Sequence, residues 1–282
     1  MPALRGTLAI VTTTGVSAYD QAIVGIREQM VDCEVLDVHE EKRLRDVLNA
    51  QGLVLAIAVG ADALAALDRL APPALPAVKS VLLEWDLAGR SEQKHPGSAI
   101  TVDMQPAILV DELVSLFPTR TRLGAIRGPM QTESDVGSLE HAARERGLTL
   151  KVVTCSEARD LVNRFLQFKS DVDFVWCPPN PQLYNSATLR PLLVASITNR
   201  LPVIAYSQQL VEAGALFGGA PDFRDVGRMT AEVALRILQH QAVPARLKAR
   251  TFHFAYNQRV ARLVDVKAGG LEEHGGDLLV IR

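Results

Sequence analysis

Short apolar runs alternate with amphipathic stretches along the chain, and the lengths of the two separate strands from helices. Thr7 to Thr12 is apolar between its ends, the pattern of a strand buried on both faces, and Tyr19 to Met30 carries Ile23, Ile26 and Met30 at helical spacing. The same reading predicts a strand at Glu34 to Val38, a helix at Glu40 to Ala50 and a strand at Leu53 to Val59. Gly60-Ala61-Asp62 opens another helix, with Asp62 placed to complement its amino end. A strand at Val78 to Leu83, a polar loop through His95-Pro96-Gly97, a short segment Ala99 to Val102 and an amphipathic helix Gln105 to Phe117 complete this half.

The second half repeats the rhythm. Leu123-Gly124-Ala125-Ile126 stands 115 positions (123 minus 8) after Leu8-Ala9-Ile10-Val11 and is likewise followed by a helix and a second strand. Its elements are strand Arg122 to Arg127, helix Glu133 to Arg146 stopped by Gly147, strand Thr149 to Val153, helix Glu157 to Lys169 and strand Asp173 to Cys177. A helix ending near Thr198, the strand Leu201 to Tyr206 and a helix Asp222 to Gln239 with Asp222 as N-cap follow. The chain closes with strand Arg250 to Ala255, a helical piece Gln258 to Leu263 and strand Asp277 to Ile281. Strands alternating with helices mean parallel sheets with right-handed crossovers, so the chain predicts two similar α/β lobes. Pro118 to Arg122 marks the first crossing between them.

A length of 282 residues is about two domains, and 48% hydrophobic residues is ample for two cores. Thirty basic and 32 acidic residues give a net charge of -2, and the densest basic run, Lys42-Arg43-Leu44-Arg45, reads as a wet helix face. Nucleic acid is therefore not an expected partner. No apolar run approaches the roughly 18 residues that span a bilayer, and Met1 to Gly6 passes into the first strand without an export signal. A soluble protein without membrane insertion is expected. Cys33, Cys155 and Cys177 lack metal or disulfide spacing and read as packed thiols, with Cys177, at a strand end, the one worth testing for reactivity.

In open parallel sheets ligands sit beyond the carboxyl ends of the strands. That rule singles out Thr13, Thr14, Ser17 and Tyr19 after the first strand, where hydroxyls and helix N–H groups can hold a carboxylate, with helix capping as the other role of Ser17. Met130, Gln131 and Thr132 hold the equivalent place in the second half, Thr132 being also a natural N-cap. Gly60 and Ala61 allow close backbone approach; Glu84 and Trp85 offer a carboxylate beside a flat ring for a cation. Asn180, Tyr184, Tyr206, Ser207 and Gln208 supply amides, hydroxyls and rings, and Asp222 either reaches a ligand or caps its helix.

From Arg122 onward the chain resembles the substrate-binding proteins of ABC transporters. The likeness rests on Arg122-Leu123-Gly124-Ala125-Ile126, Leu201-Pro202-Val203-Ile204-Ala205, Gly214-Ala215-Leu216, Val226-Gly227-Arg228 and Ile237-Leu238, taken in order. It implies the type I periplasmic-binding-protein fold, with two Rossmann-like lobes on parallel central sheets joined by a multi-strand hinge, and is similar to the tryptophan- and tyrosine-binding subgroup. The lobes implied are residues 1–118 with 222–243 and residues 119–221 with 244–282. The resemblance further implies a monomeric, non-catalytic receptor for an amino acid or related carboxylate, an ABC permease as partner, and an extracytoplasmic location. The missing export signal leaves a cytoplasmic ligand sensor of the same fold as the alternative. Many relatives carry an aspartate where this chain has Pro178-Pro179-Asn180.

An enzyme is the third reading. Racemases with two opposed cysteines would need a partner for Cys177, but the matching strand ends in Val59-Gly60. No dinucleotide, phosphate-loop, zinc-protease or serine-hydrolase motif is present, so no catalytic residue, cofactor or metal is expected. The six histidines are scattered and read mostly as surface or helix residues.

Overall fold

The computed structural model describes residues 7–87, 94–129, 131–269 and 278–282. The chain forms two compact units, Met1–Asp103 with Pro221–Thr251, and Met104–Ala220 with Phe252–Arg282. The first stretch runs β1 (Thr7–Thr12), α1 (Ser17–Arg27), β2 (Cys33–Asp37), α2 (Glu41–Leu48), β3 (Leu53–Val59), α3 (Ala61–Leu70), β4 (Ala77–Leu82), α4 (Glu84–Leu87) and β5 (Gly97–Thr101). Then come α5 (Pro106–Leu116), β6 (Arg122–Arg127), α6 (Glu133–Glu145), β7 (Thr149–Thr154), a 3-10 turn Ala158–Asp160, α7 (Leu161–Leu166), β8 (Phe174–Trp176), α8 (Ser186–Thr198), β9 (Val203–Ala205), α9 (Gln208–Ala213) and β10 (Phe217–Pro221). The last elements are α10 (Phe223–Leu238), β11 (Arg246–Lys248), β12 (Phe252–Asn257), α11 (Gln258–Leu263) and β13 (Leu278–Ile281).

In the first unit six strands lie in the order β11-β5-β4-β3-β1-β2, all pairs parallel. Ile10 is registered with Val35 on one side and Ile57 on the other, so central β1 and β3 are apolar on both faces for the reason their sequence suggested. One face packs Ala9, Val11, Ala56 and Ala58 against Leu44 and Leu48 of α2 and Leu64 and Leu67 of α3. Lys42, Arg43 and Arg45 lie on the exposed side of α2, as the pattern predicts. Elsewhere in the unit α1 and α10 pack backbone to backbone. A Cβ added at Gly25 would collide with the carbonyl oxygen of Arg224, and one at Gly227 with that of Ala22.

The second unit orders seven strands β13-β12-β10-β9-β8-β6-β7. Its core gathers Ile126, Val153, Phe165, Phe168, Val175, Leu192 and Val203. Gly147, at φ +74°, lies just beyond α6, where a left-handed residue ends a helix with least strain.

The first crossing expected at Pro118 to Arg122 lies instead at Asp103–Met104. Phe117, fully buried at the end of α5, meets rings of the second unit in tilted or edge-on contacts: Phe174 at 5.4 Å, Tyr256 at 6.1 Å and Phe217 at 6.2 Å. Pro118 ends a helix rather than a domain. The return implied after residue 243 comes at Thr251–Phe252, because β11 pairs with β5 of the first sheet. The helix expected over Glu157 to Lys169 is shorter, with its start tightened into the 3-10 turn. Three elements, α9, β10 and β11, are short enough to leave no periodic trace in the sequence.

Candidate functional site

The carboxyl end of the first sheet is built around the loop between β1 and α1. Thr14 donates its backbone N–H to Asp37 Oδ2 at 2.9 Å and its hydroxyl to the same oxygen, while the His39 N–H donates to Asp37 Oδ1 at 2.7 Å. These donors, the Thr14 hydroxyl foremost, hold the Asp37 carboxyl down at about 2. Asp37 was no sequence candidate, although a carboxylate closing an apolar strand was a usable signal.

Thr12 and Thr13 present a different chemistry. Their hydroxyl oxygens are buried and have no hydrogen-bond partner among the described residues. Tyr19 is half-buried at the start of α1, with its ring over Gly60: a Cβ on that glycine would sit 2.5 Å from Tyr19 Cζ. Gly60 has φ +94° and Ala61 starts α3, so this turn requires a residue without a side chain twice over, by backbone angle and by space. Burial, and then Asp62 and Asp86, push the Tyr19 phenol up. Thr13 and Tyr19 thus follow β1, and Gly60 and Ala61 follow its sheet neighbour β3, with Asp62 and Asp86 near Tyr19, while Ser17 is exposed and receives a hydrogen bond from Gln21 at 3.2 Å. The residue before α1 is Val16, so Ser17 is not its N-cap.

Glu84 faces other partners. Its carboxylate pairs with Arg246 at 3.0 Å and accepts from the Thr101 hydroxyl at 3.3 Å. The charge is therefore neutralised within the unit, and half-buried Trp85 is left to offer its ring. Asp222 accepts from the Asp225 N–H at 2.9 Å as the N-cap of α10.

In the second unit the loop residues mostly bond one another. Gln131 Oε1 accepts from the Gly128 N–H at 3.0 Å and from Asn180 Nδ2 at 3.1 Å, and Gln131 Nε2 donates to the Pro179 carbonyl at 3.1 Å. Asn180, only 1% exposed, accepts through Oδ1 from the N–H groups of Gln182 and Leu183 at 3.1 and 3.2 Å. Thr132 forms a capping box with Asp135. Met130 lies outside the described residues. Ser207 caps α9, and exposed Gln208 bonds Glu212 at 2.8 Å.

Tyr184 and Tyr206 stand as a tilted ring pair 6.2 Å apart. Tyr184 is buried and its hydroxyl lacks a hydrogen-bond partner of normal geometry among the described residues; burial and the neighbouring Cys177 thiol push the phenol well up. Cys177 itself is pushed up to about 12 by burial and is packed in the core, as is Cys155, rather than presented at the strand end. His95 also departs from the surface reading: it is fully buried, with Nδ1 3.3 Å from the Leu75 carbonyl and Nε2 3.7 Å from Asp68. Among the described residues no group of three or more metal-ligating side chains converges.

Comparison with known proteins supplies the family. Residues 47–267 match the model for the ABC transporter substrate binding protein. The chain belongs to that family. Among solved structures it is similar to the ligand-free, open form of CD0873, a substrate binding protein with adhesive properties from Clostridium difficile (TM-score 0.74, 14% identity, 98% of this chain and 99% of that one). It is also similar to an ABC domain in complex with L-Trp from Streptococcus pneumonia (0.64, 16%, 98% and 100%) and to a periplasmic ribose ABC transporter protein from Conexibacter woesei (0.59, 12%, 93% and 96%). At these identities the likeness establishes the type I periplasmic-binding-protein fold. A search of curated proteins finds no match. The family and these neighbours are binding proteins, and no helix among the described residues is long and apolar enough to cross a membrane.

Proposed function

We propose that this substrate-binding protein is the solute receptor of an ABC importer, taking a small amino acid or related carboxylate at the carboxyl ends of its sheet strands and handing it to a permease outside the cytoplasm. The observation that carries the reading is the set of groups at the strand ends: buried hydroxyls at Thr12 and Thr13, the Tyr19 ring over Gly60, and the Tyr184–Tyr206 pair. Hydroxyls and helix N–H groups suit a carboxylate, and the rings suit an apolar side chain. The neighbour bound to L-Trp supports an amino-acid ligand. Thr13, Tyr19, Ala61 and Trp85 on the first unit, with Tyr184 and Tyr206 on the second, are the contacts proposed; the protein acts as a monomer and without a cofactor.

Thermal-shift measurements against L-amino acids, D-ribose and nucleosides test this, because ligand bound to the folded state raises stability by RT ln(1 + [L]/Kd). An amino acid is expected to raise Tm. A ribose or nucleoside response with silence from every amino acid would overturn the ligand class.

A further inference from the structure

The chain enters the first unit for the second time at Ala220–Pro221 and leaves it at Thr251–Phe252. One carboxylate stands at both places. Asp225, 7% exposed in the first turn of α10, accepts from Arg250 Nε at 3.1 Å, from Arg250 Nη2 at 3.3 Å and from the Thr251 hydroxyl at 2.9 Å. Arg228 Nε approaches it at 3.5 Å. Asp222, just after the entering segment, donates its N–H to the Thr251 carbonyl at 2.9 Å. Entering and leaving segments are thus joined by a backbone bond and bridged by the Asp225 side chain. The leaving segment has a second anchor, since Arg246 of β11 pairs with Glu84 at 3.0 Å. Glu84 in turn gives its backbone N–H to Asp103 at 2.8 Å, where the chain first crosses.

We infer that Asp225 is a positioning residue that clamps the entering and leaving segments to the first unit, confining hinge motion to the few residues beyond the clamp. The inference rests on the solute-binding reading, in which hinge bending of the crossing segments accompanies ligand binding. A two-sided guanidinium–carboxylate pair fixes direction as well as distance, which a single hydrogen bond does not. Its position is also selective: a shielded carboxylate in the first turn of α10 is favoured by the helix dipole and is screened little by salt. Hinges bend at a few residues between rigid bodies, so a clamp that keeps Asp222 and Thr251 with the first body determines which residues those are.

Asp225→Asn, which keeps size but weakens the guanidinium pair, is compared with Thr251→Val, which removes one bond and spares the pair. Asp173→Asn is the control: Asp173 is an equally shielded carboxylate, bonded to Arg122 and to the Thr121 N–H within the second unit and away from either segment. Hydrogen exchange by mass spectrometry reads the Asp222 amide. A spin-label distance between Gln51→Cys and Glu140→Cys reads the spread between units, both positions being exposed and the native cysteines buried. Exchange at Asp222 is expected to rise at least tenfold in Asp225→Asn and about threefold in Thr251→Val, with β1 and β3 amides unchanged and the distance distribution broadened. Unchanged Asp222 exchange and distances in Thr251→Val and Asp225→Asn would overturn the clamp, as would equal broadening in Asp173→Asn. Loss of folding in Asp225→Asn leaves Thr251→Val to decide. L-tryptophan titrated into the wild type separates the two ideas: no binding counts against the ligand class, while exchange and distances still decide the clamp.

Discussion

The carboxyl ends of the two sheets use similar loops in opposite ways. In the second unit Gln131, Asn180 and Thr132 spend their polar groups on one another and on neighbouring backbone, so the loops are assembled before anything binds. In the first unit Thr12 and Thr13 keep buried hydroxyls without partners among the described residues, and Tyr19 lies over a glycine that has no side chain to fill the space. A buried hydroxyl left unpaired costs about 1–3 kcal/mol, so the first unit carries hydrogen-bonding capacity at a cost in its own stability. Preassembly supports the frame, and unspent capacity is what a ligand can use.

The largest effect is expected where the first unit's frame is tightest. Gly227→Ala drives a methyl into the Ala22 carbonyl across the α1–α10 seam, and overpacking against backbone that cannot yield should cost about 3 kcal/mol in denaturant melts. A loss below about 1 kcal/mol would show the seam to be loose.

Next comes a direct test of the contrast. Asn180→Ala strips partners from Gln131 and from two N–H groups and should destabilise by about 2–3 kcal/mol. Thr12→Val exchanges an unpartnered buried hydroxyl for a methyl and should be neutral or stabilising by up to about 1 kcal/mol. Equal losses in the two variants would erase the distinction between the units.

Acid should separate the units by pH. Burial first of all lowers the His95 pKa below 6.5, so in the first unit the unfolded chain takes up the proton before the folded one does. Stability from the neutral ring is present above about pH 6.5 and is lost as the pH falls from there toward the lowered folded value. In the second unit burial opposes ionisation of Asp173, but hydrogen bonds from Arg122 and Thr121 win and hold its pKa below 3.8. Its contribution is present above about pH 4 and disappears only below that. Melts between pH 7 and 5 should therefore lose stability in the wild type and show a flatter dependence in His95→Gln, with hydrogen exchange rising first in the first unit.

The smallest effect is expected at Gln208→Ala, which removes an exposed pair with Glu212 and should change stability by less than about 0.5 kcal/mol. Iodoacetamide should leave Cys177 unmodified in the native protein, because a buried thiol pushed up to about 12 supplies almost no thiolate at neutral pH. Rapid labelling would show the strand end to be open.

Much of the frame was legible because its signals are local. Buried central strands such as Leu53–Val59 read as continuous apolar runs, α10 announced itself through spaced apolar residues behind an N-cap aspartate, and the half-chain repeat exposed two α/β units. The site was legible only as places. The rule about strand ends named Thr13, Tyr19, Gly60 and Tyr184 as candidates, but it could not say which polar groups would be spent within the fold, as Glu84 is on Arg246 and Asn180 is on Gln131. Those partners lie 162 and 49 residues away in sequence, beyond the reach of any periodicity.

The sequence by itself determined the α/β class, the order of most elements and the absence of a long apolar span, because apolar spacing, capping residues and composition act within a few turns of chain. Tertiary structure alone decided where the chain crosses between units, which carboxylates are neutralised, that His95 and Cys177 are buried, and which hydroxyls at the end of β1 find no partner among the described residues. Each depends on groups far apart in sequence meeting away from water, where pairing and desolvation energies become large enough to choose among partners.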